Sequence, residues 1–174
     1  MTDDGKTTAA TNGDPPRRLA SGRVLLCVVD ETQELSVALQ FAAMRAKRTG
    51  AHVGLLYVIE QADDFQHWAT VGDLMREEAR AEAEHHLLRA ADRIRRLSGQ
   101  LPVLYIREGK RAEQVIEQIE EDRNIAFLIL GAATGNQGPG PLVSSMTGRL
   151  VGRLHIPVVI VPGNMSEEEL RSFA

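Results

Sequence analysis

Several features that define common protein classes are scarce in this sequence of 174 residues. The single cysteine, Cys27, lies within the apolar run VLLCVV and cannot form an internal disulfide, which fits a reducing compartment. We interpret Cys27 as a core residue rather than a reactive thiol. At 174 residues the chain has the size of one domain and can bury a core without disulfide or metal staples.

The sequence also lacks the signals of membranes and nucleic acids. No apolar run approaches the length of a membrane-spanning helix, and the N-terminus has no hydrophobic segment typical of a signal peptide. The net charge is -4, and charges of both signs are interspersed, so no basic field attracts nucleic acid or a membrane surface. We therefore expect a soluble cytoplasmic protein that binds neither.

Composition divides the chain into three parts. Residues 1–22 have almost no large apolar side chains and are rich in Thr, Gly, Pro and charge, which predicts a disordered tail. Residues 23–163 form the folded domain. Residues 164–174 are a C-terminal tail or a short helix, since Ser166 followed by Glu169 is a capping pattern.

Apolar runs alternate with amphipathic stretches throughout the domain. The predicted strands lie at residues 23–30, 53–59, 101–106, 126–130 and within HIPVVIVP near the end. The predicted helices lie at residues 35–49, about 74–97, from about 111, and 144–154. Gly50 and Gly109 are natural bends at helix boundaries. This order predicts an α/β fold with an open parallel sheet and helices on both faces.

A glycine-rich loop follows the fourth strand. The strand ends at Gly131, and Ser144 and Ser145 then open the predicted helix. Glycines can turn backbone N–H groups toward a ligand, and a helix start adds further donors, so a phosphate is one natural guest. An ordinary turn between a buried strand and a helix explains the glycines equally well, because glycine spacing is a weak signal.

Asp30 stands at the end of the first strand. In an open parallel sheet, ligands bind beyond the carboxyl ends of the strands where the winding direction reverses. If the first and fourth strands are neighbours, Asp30 and the glycine loop flank one crevice, where a carboxylate can accept hydrogen bonds from a ribose hydroxyl or a base amine. Taken alone, Asp30 is as readily a turn residue that caps the first helix.

Other chemical signals are weak. The loop has no Gly-Lys-Ser/Thr ending, and no acid, base and nucleophile set is evident, so binding is favoured over catalysis. His85 and His86 are adjacent in a predicted helix and face different directions, which indicates surface histidines rather than a metal site. Residues 60–73, which include Phe65, His67 and Trp68, are a short lid or merely a connection.

The chain resembles the universal stress protein (UspA-like) family over residues 23–163. The resemblance is carried by RVLLCVVD, by REGKRAEQVIEQIEED, and by LILGAATG through VSSMTGRLVGRLHIPVVIVP. It implies an adenine nucleotide alpha hydrolase-like fold, with five parallel strands in the order 3-2-1-4-5. It also implies a homodimer formed through the last strand, here Pro157 to Val161.

The ATP-binding branch of that family has a glycine motif that the chain matches in part. The pattern is Gly, two residues, Gly, nine residues, then Gly followed by Ser or Thr. Gly131 and Ser145 match its first and last positions, whereas Thr134 and Ser144 stand where the family has glycine. Because Thr134 is a poor residue for a positive φ, Gly135 is expected to take over the turn.

The resemblance assigns parts of the chain to parts of an adenine nucleotide. The implied residues are Asp30 and Val58 for the adenine, Gly131 for the ribose, and Gly135, Ser144, Ser145 and Met146 for the phosphates. ATP or AMP is the implied ligand, and Mg²⁺ would accompany ATP. Occupancy would act as a stress-response signal, with weak ATP hydrolysis at most.

Two other functions remain open. Family members that lack the motif do not bind ATP and act as dimeric signalling proteins. The chain is alternatively such an interaction module, which would act through its dimer or through the surface of the helix at residues 74–97. Fold analogy alone also allows an electron-transfer flavoprotein or a synthetase-like protein.

Overall fold

Five parallel strands form the centre of the protein. The computed structural model describes residues 22–60, 69–136 and 138–174. The strands are, in chain order, β1 (Val24–Val28), β2 (His52–Ile59), β3 (Val103–Glu108), β4 (Ile125–Ala132) and β5 (Val158–Pro162). They pair in parallel in the order β3-β2-β1-β4-β5. The predicted fold class and strand order are confirmed.

Helices connect these strands. They are α1 (Leu35–Thr49), α2 (Ala69–Ser98), α3 (Arg111–Glu121), α4 (Pro141–Thr147) and α5 (Glu167–Phe173), with one 3₁₀ turn at Val151–Arg153. The longest is α2, with 30 residues. Within the described ranges, no helix combines the length and the apolar character that a membrane crossing requires.

The sheet is buried by apolar side chains on both faces. Leu25 and Cys27 of β1 belong to the layer formed with α1, α2 and α5, whereas Leu26 and Val28 belong to the layer formed with α3 and α4. This alternation follows from the two-residue period of a strand. Because both faces are covered, the central strands need apolar residues at successive positions, which explains the unbroken runs in the sequence.

Helix boundaries marked by glycine match their predictions. Helix α1 ends at Gly50, which has a φ of 72° and donates its N–H to the Ala46 carbonyl. Gly109 has a φ of 133° just before α3. The predicted buried stripe of α3, with Val115 and Ile116, faces the sheet. Left-handed backbone favours glycine, so these positions were readable from the sequence.

Three helix boundaries were predicted wrongly, two of them in one helix. Helix α4 begins at Pro141 rather than Ser144 and ends at Thr147 rather than Leu154. The reason for its start is local: Gly140 has a φ of 98°, and proline is well suited to the first helical position. Helix α2 begins at Ala69, five residues before the predicted Leu74.

Two predictions concern residues outside the described ranges. One is the disordered tail, of which residues 1–21 are not described. The other is the interpretation of Phe65, His67 and Trp68 as part of a lid or a connection. Both stay predictions.

Candidate functional site

The carboxyl ends of β1 and β4 lie side by side, because these two strands are paired. Asp30 follows β1, and Gly131 lies near the end of β4. Both line a narrow cavity of about 100 Å³, here called the crevice, whose wall on the loop side is formed by Ala133 and residues 139–143. The structure therefore brings Asp30 and the glycine loop together as expected, whereas their contact with a nucleotide stays a prediction.

Asp30 holds the turn that follows β1. Its Oδ1 accepts hydrogen bonds from the Thr32 backbone N–H at 3.0 Å and from the Thr32 hydroxyl at 2.6 Å. The N-cap position of α1 is occupied by Glu34, so Asp30 is a turn residue but not the cap. The two bonds to Thr32 use one of the two carboxylate oxygens.

Gly131 is required by close packing. A Cβ atom added at Gly131 would lie 2.7 Å from the Glu34 carbonyl oxygen, and one at Gly163 would lie 2.5 Å from the Glu34 Cγ. Real Cβ atoms do not approach so closely, so only glycine lets the start of α1 rest on the ends of β4 and β5. This structural role accounts for Gly131 without any ligand.

The glycine loop turns at different residues from those expected. Among the described glycines of the loop, those with left-handed φ are Gly138, at 83°, and Gly140, at 98°, so the expectation that Gly135 takes the turn is wrong. Both Gly138 and Gly140 precede a proline, which excludes the right-handed helical region for the preceding residue. Glycine can take a positive φ at no steric cost, and the turns therefore form there.

Ser144 and Ser145 lie inside α4 rather than at its start. The Ser144 backbone N–H donates to the Gly140 carbonyl at 3.0 Å, and its hydroxyl donates to the same oxygen at 2.9 Å. The Ser145 carbonyl accepts a hydrogen bond from the Leu150 N–H at 3.1 Å. The prediction that these serines open the helix is wrong, because α4 begins at Pro141. Both donors of Ser144 are engaged within the helix, and the contact of the two serines with phosphate stays a prediction.

Val58 and Met146 are buried. Both belong to the apolar layer between the sheet and the helices α3 and α4. Gly135 is exposed in the loop. The assignment of these three residues to adenine or phosphate stays a prediction.

Two charged residues of the crevice were missed by sequence reasoning. Glu34 and Arg111 both line it. Arg111 is held by Glu60, which accepts a hydrogen bond from the Arg111 backbone N–H at 3.1 Å and forms an ion pair with its guanidinium at 3.0 Å. The available signal was position: Arg111 opens the helix after β3, so it lies at the same edge of the sheet as Asp30.

The charges around the crevice are mixed. Asp30 and Glu34 contribute carboxylates, and Arg111 contributes a guanidinium that already pairs with Glu60. Two carboxylates near one engaged cation disfavour a bare phosphate, because like charges repel strongly in a partly desolvated site. A phosphate group here therefore needs Arg111 released from Glu60 or an added cation.

Comparison with known proteins identifies the family. The sequence profile described as "Universal stress protein family" matches residues 22–162. The chain belongs to the universal stress protein family. No curated protein sequence gives a significant match.

Solved universal stress proteins share the fold. UspA from Lactobacillus plantarum is 22% identical with a TM-score of 0.63, and the match covers 82% of this chain and 99% of that one. A family member from Arabidopsis thaliana with AMP bound is 16% identical with a TM-score of 0.59, covering 84% and 94%. The protein from Archaeoglobus fulgidus in complex with dAMP is 15% identical with a TM-score of 0.55, covering 79% and 96%.

In this universal stress protein, Asp30 also borders a larger space. A groove of about 860 Å³ lies between α1 and α2, and both Asp30 and Thr32 line it. The groove has apolar positions from α1, such as Leu35 and Leu39, and several arginines from α2. Space beside Asp30 is therefore not limited to the crevice.

Proposed function

We propose that this universal stress protein binds an adenine nucleotide at the carboxyl edge of its sheet and that occupancy acts as a stress-response signal. The observation that carries the proposal is the juxtaposition of Asp30 and Gly131 between β1 and β4, where the winding of the sheet reverses. The relatives with bound AMP and dAMP support it, because they share this fold. A cytoplasmic location belongs to the same proposal.

Nucleotide binding requires the crevice to open. Its volume of about 100 Å³ is smaller than the roughly 300 Å³ at which small-molecule sites begin. Pro139 and Gly140 form part of its wall, so an outward movement of the glycine loop would enlarge it. The free energy of that opening is subtracted from the binding free energy, which predicts modest affinity.

The polar groups at the crevice suit different parts of the ligand. Asp30 can accept hydrogen bonds from a ribose hydroxyl or from the adenine amino group. Arg111 can pair with phosphate oxygens if its ion pair with Glu60 breaks. When ATP is bound, Mg²⁺ would offset the negative charge of Glu34. The described lining residues contain no nucleophile paired with a general base, so we infer binding with weak ATP hydrolysis at most.

A second candidate function is that of a dimeric interaction module without a nucleotide. The narrow crevice favours it, as do the hydrogen bonds that engage both donors of Ser144. In this case the protein would act through its dimer or through the surface of α2.

Thermal unfolding with AMP, ADP and ATP, with and without Mg²⁺, distinguishes the two functions. A ligand that binds only the folded state at about 100 times its Kd raises the free energy of unfolding by about 2.7 kcal/mol. We expect adenine nucleotides to raise the midpoint and GTP to raise it less. No rise with any adenine nucleotide would favour the interaction module.

An Asp30→Asn variant tests the site itself. Asparagine keeps an oxygen that can accept the Thr32 bonds but removes the negative charge, so we expect AMP affinity to fall about tenfold while the unliganded midpoint changes little. Asp73→Asn is the matched control, because Asp73 is exposed on α2 and pairs locally with Arg76. Equal AMP affinity in the two variants would show that the Asp30 carboxylate does not contribute to AMP binding.

A further inference from the structure

One histidine and two glutamates from different elements meet beside α2. Glu31 lies in the turn after β1, and Glu82 and His86 lie on α2. The His86 Nε2 atom is 3.6 Å from Glu31 Oε1 and 3.9 Å from Glu82 Oε1. One ligating atom from each residue lies within 4.8 Å of the other two. We propose that Glu31, Glu82 and His86 bind a divalent transition-metal ion of the Zn²⁺ type.

The spacing on α2 supports a shared site. Glu82 and His86 are four residues apart, so they lie on one face of the helix. Tetrahedral ligands at about 2.0–2.1 Å from Zn²⁺ are about 3.3 Å from one another. The observed separations exceed this only moderately, and the side chains of Glu31 and Glu82 are 68% and 63% exposed, so both can rotate inward without disturbing the core.

The His86 imidazole is positioned by its contacts within the protein, without a metal. The His86 ring stacks on the Tyr57 ring, with the centroids 5.6 Å apart and the planes at 18°. Its side chain is only 22% exposed, in contrast to both glutamates.

The donor set discriminates between metals. One imidazole nitrogen with two carboxylate oxygens suits Zn²⁺ and its neighbours, whereas Mg²⁺ and Ca²⁺ prefer oxygen ligands alone. Three protein ligands leave a fourth position for water. A bound ion would link α2 to the turn that carries Asp30. It would therefore restrict the movement of one wall of the crevice without lying in the crevice itself.

The competing explanation is a simple ion pair, in which a protonated His86 attracts the two carboxylates. The two explanations differ in a measurable way. A metal site binds one ion per chain through the neutral imidazole, whereas an ion pair alone binds no metal. Helix α2 offers matched controls. Glu84 pairs with Arg80 instead of His86, and His85 is exposed, with its ring edge-on to His86 at 6.1 Å.

The experiment uses the full chain without a histidine tag, stripped of metal with a chelator. Calorimetric titration with Zn²⁺ should give one site per chain, and Co²⁺ should produce visible absorption bands of a low-coordinate site. Zn²⁺ should raise the thermal midpoint, and the same concentrations of Mg²⁺ and Ca²⁺ should not. Glu31→Gln and Glu82→Gln should each lower Zn²⁺ affinity at least about tenfold, whereas Glu84→Gln should leave it unchanged.

Histidine variants complete the test. His86→Ala should abolish the Co²⁺ bands, and His85→Ala should retain them. If His86→Ala does not fold because it loses the Tyr57 contact, the glutamate variants decide the matter. The absence of stoichiometric Zn²⁺ binding, or equal Zn²⁺ affinity in the Glu82→Gln and Glu84→Gln proteins, would overturn the proposal. No nucleotide is present in these measurements, so their outcome is independent of the proposed nucleotide site.

Discussion

At the residue scale, the environment of Cys27 makes its thiol inert. The side chain is fully buried between the sheet and α1, and burial raises its pKa to about 12. Only the thiolate reacts with aromatic disulfide reagents, so at pH 8 we expect the native protein to react about a thousandfold more slowly than a free thiol. Release of thionitrobenzoate measures this, and guanidinium-unfolded protein should release one equivalent rapidly. Fast release from the folded protein would contradict the assignment of Cys27 to the core.

Single residues also show how far the site was predictable. The juxtaposition of Asp30 and Gly131 was predictable, because residues at the ends of parallel strands share one edge of the sheet, whichever helices cover it. Glu34 and Arg111 were missed, because the strand pattern does not reveal which helix residues lean over that edge. The close approach of Glu34 explains the glycine at position 131 without a ligand, and the strand pattern did not predict that contact.

At the element scale, α5 depends on its N-terminal cap. The Ser166 hydroxyl accepts the Glu169 N–H at 3.3 Å, and the Glu169 carboxylate accepts the Ser166 N–H at 2.8 Å, so the predicted capping pattern is confirmed. Helix α5 contributes the buried Leu170 to the layer with α1. We expect Ser166→Ala to lower the free energy of unfolding by about 1 kcal/mol, as measured by urea denaturation.

Ser172→Ala is the matched control for that prediction. Ser172 lies on the same helix and donates to a backbone carbonyl within it, so its loss should change stability by less than about 0.5 kcal/mol. The bond from the Ser166 backbone N–H and, after it, the bond from the Ser166 hydroxyl lower the pKa of Glu169. Ser166→Ala removes only the hydroxyl bond. A lowered folded-state pKa stabilises the protein above the ordinary carboxyl range, and this contribution disappears as pH falls through the folded pKa. The difference between the two variants should therefore shrink in acid, and an equal effect of both would show that the cap is unimportant.

Elements with a strong end signal were predicted best. Helix α1 has its observed bounds because Gly50 allows the left-handed residue that ends it. Helix α4 was misplaced because the two serines were interpreted as its start, although Pro141 after a glycine is the more specific mark of a first helical residue. The error arose because two features of the sequence, the serine pair and the proline after glycine, each indicated a helix start at a different residue.

At the scale of the whole molecule, β5 is an edge strand and is the surface through which we propose that two copies pair. An edge leaves backbone N–H and C=O groups open to another chain, and Ile160 on β5 is 39% exposed. We expect light scattering after gel filtration to give twice the chain mass at micromolar concentration. Ile160→Lys should reduce this to one chain mass, because a charge on an edge strand opposes pairing.

The opposite edge of the sheet supplies the control for the dimer. Strand β3 is also at an edge, and Leu104 there is 42% exposed, so its substitution by lysine changes a comparable apolar surface. If the dimer forms through β5, Leu104→Lys should keep twice the chain mass. A monomeric Leu104→Lys protein together with a dimeric Ile160→Lys protein would instead locate the interface at β3. That result would place the contact beside β2 and α2, and hence on the side of the sheet that carries the proposed metal site rather than on the side of the glycine loop.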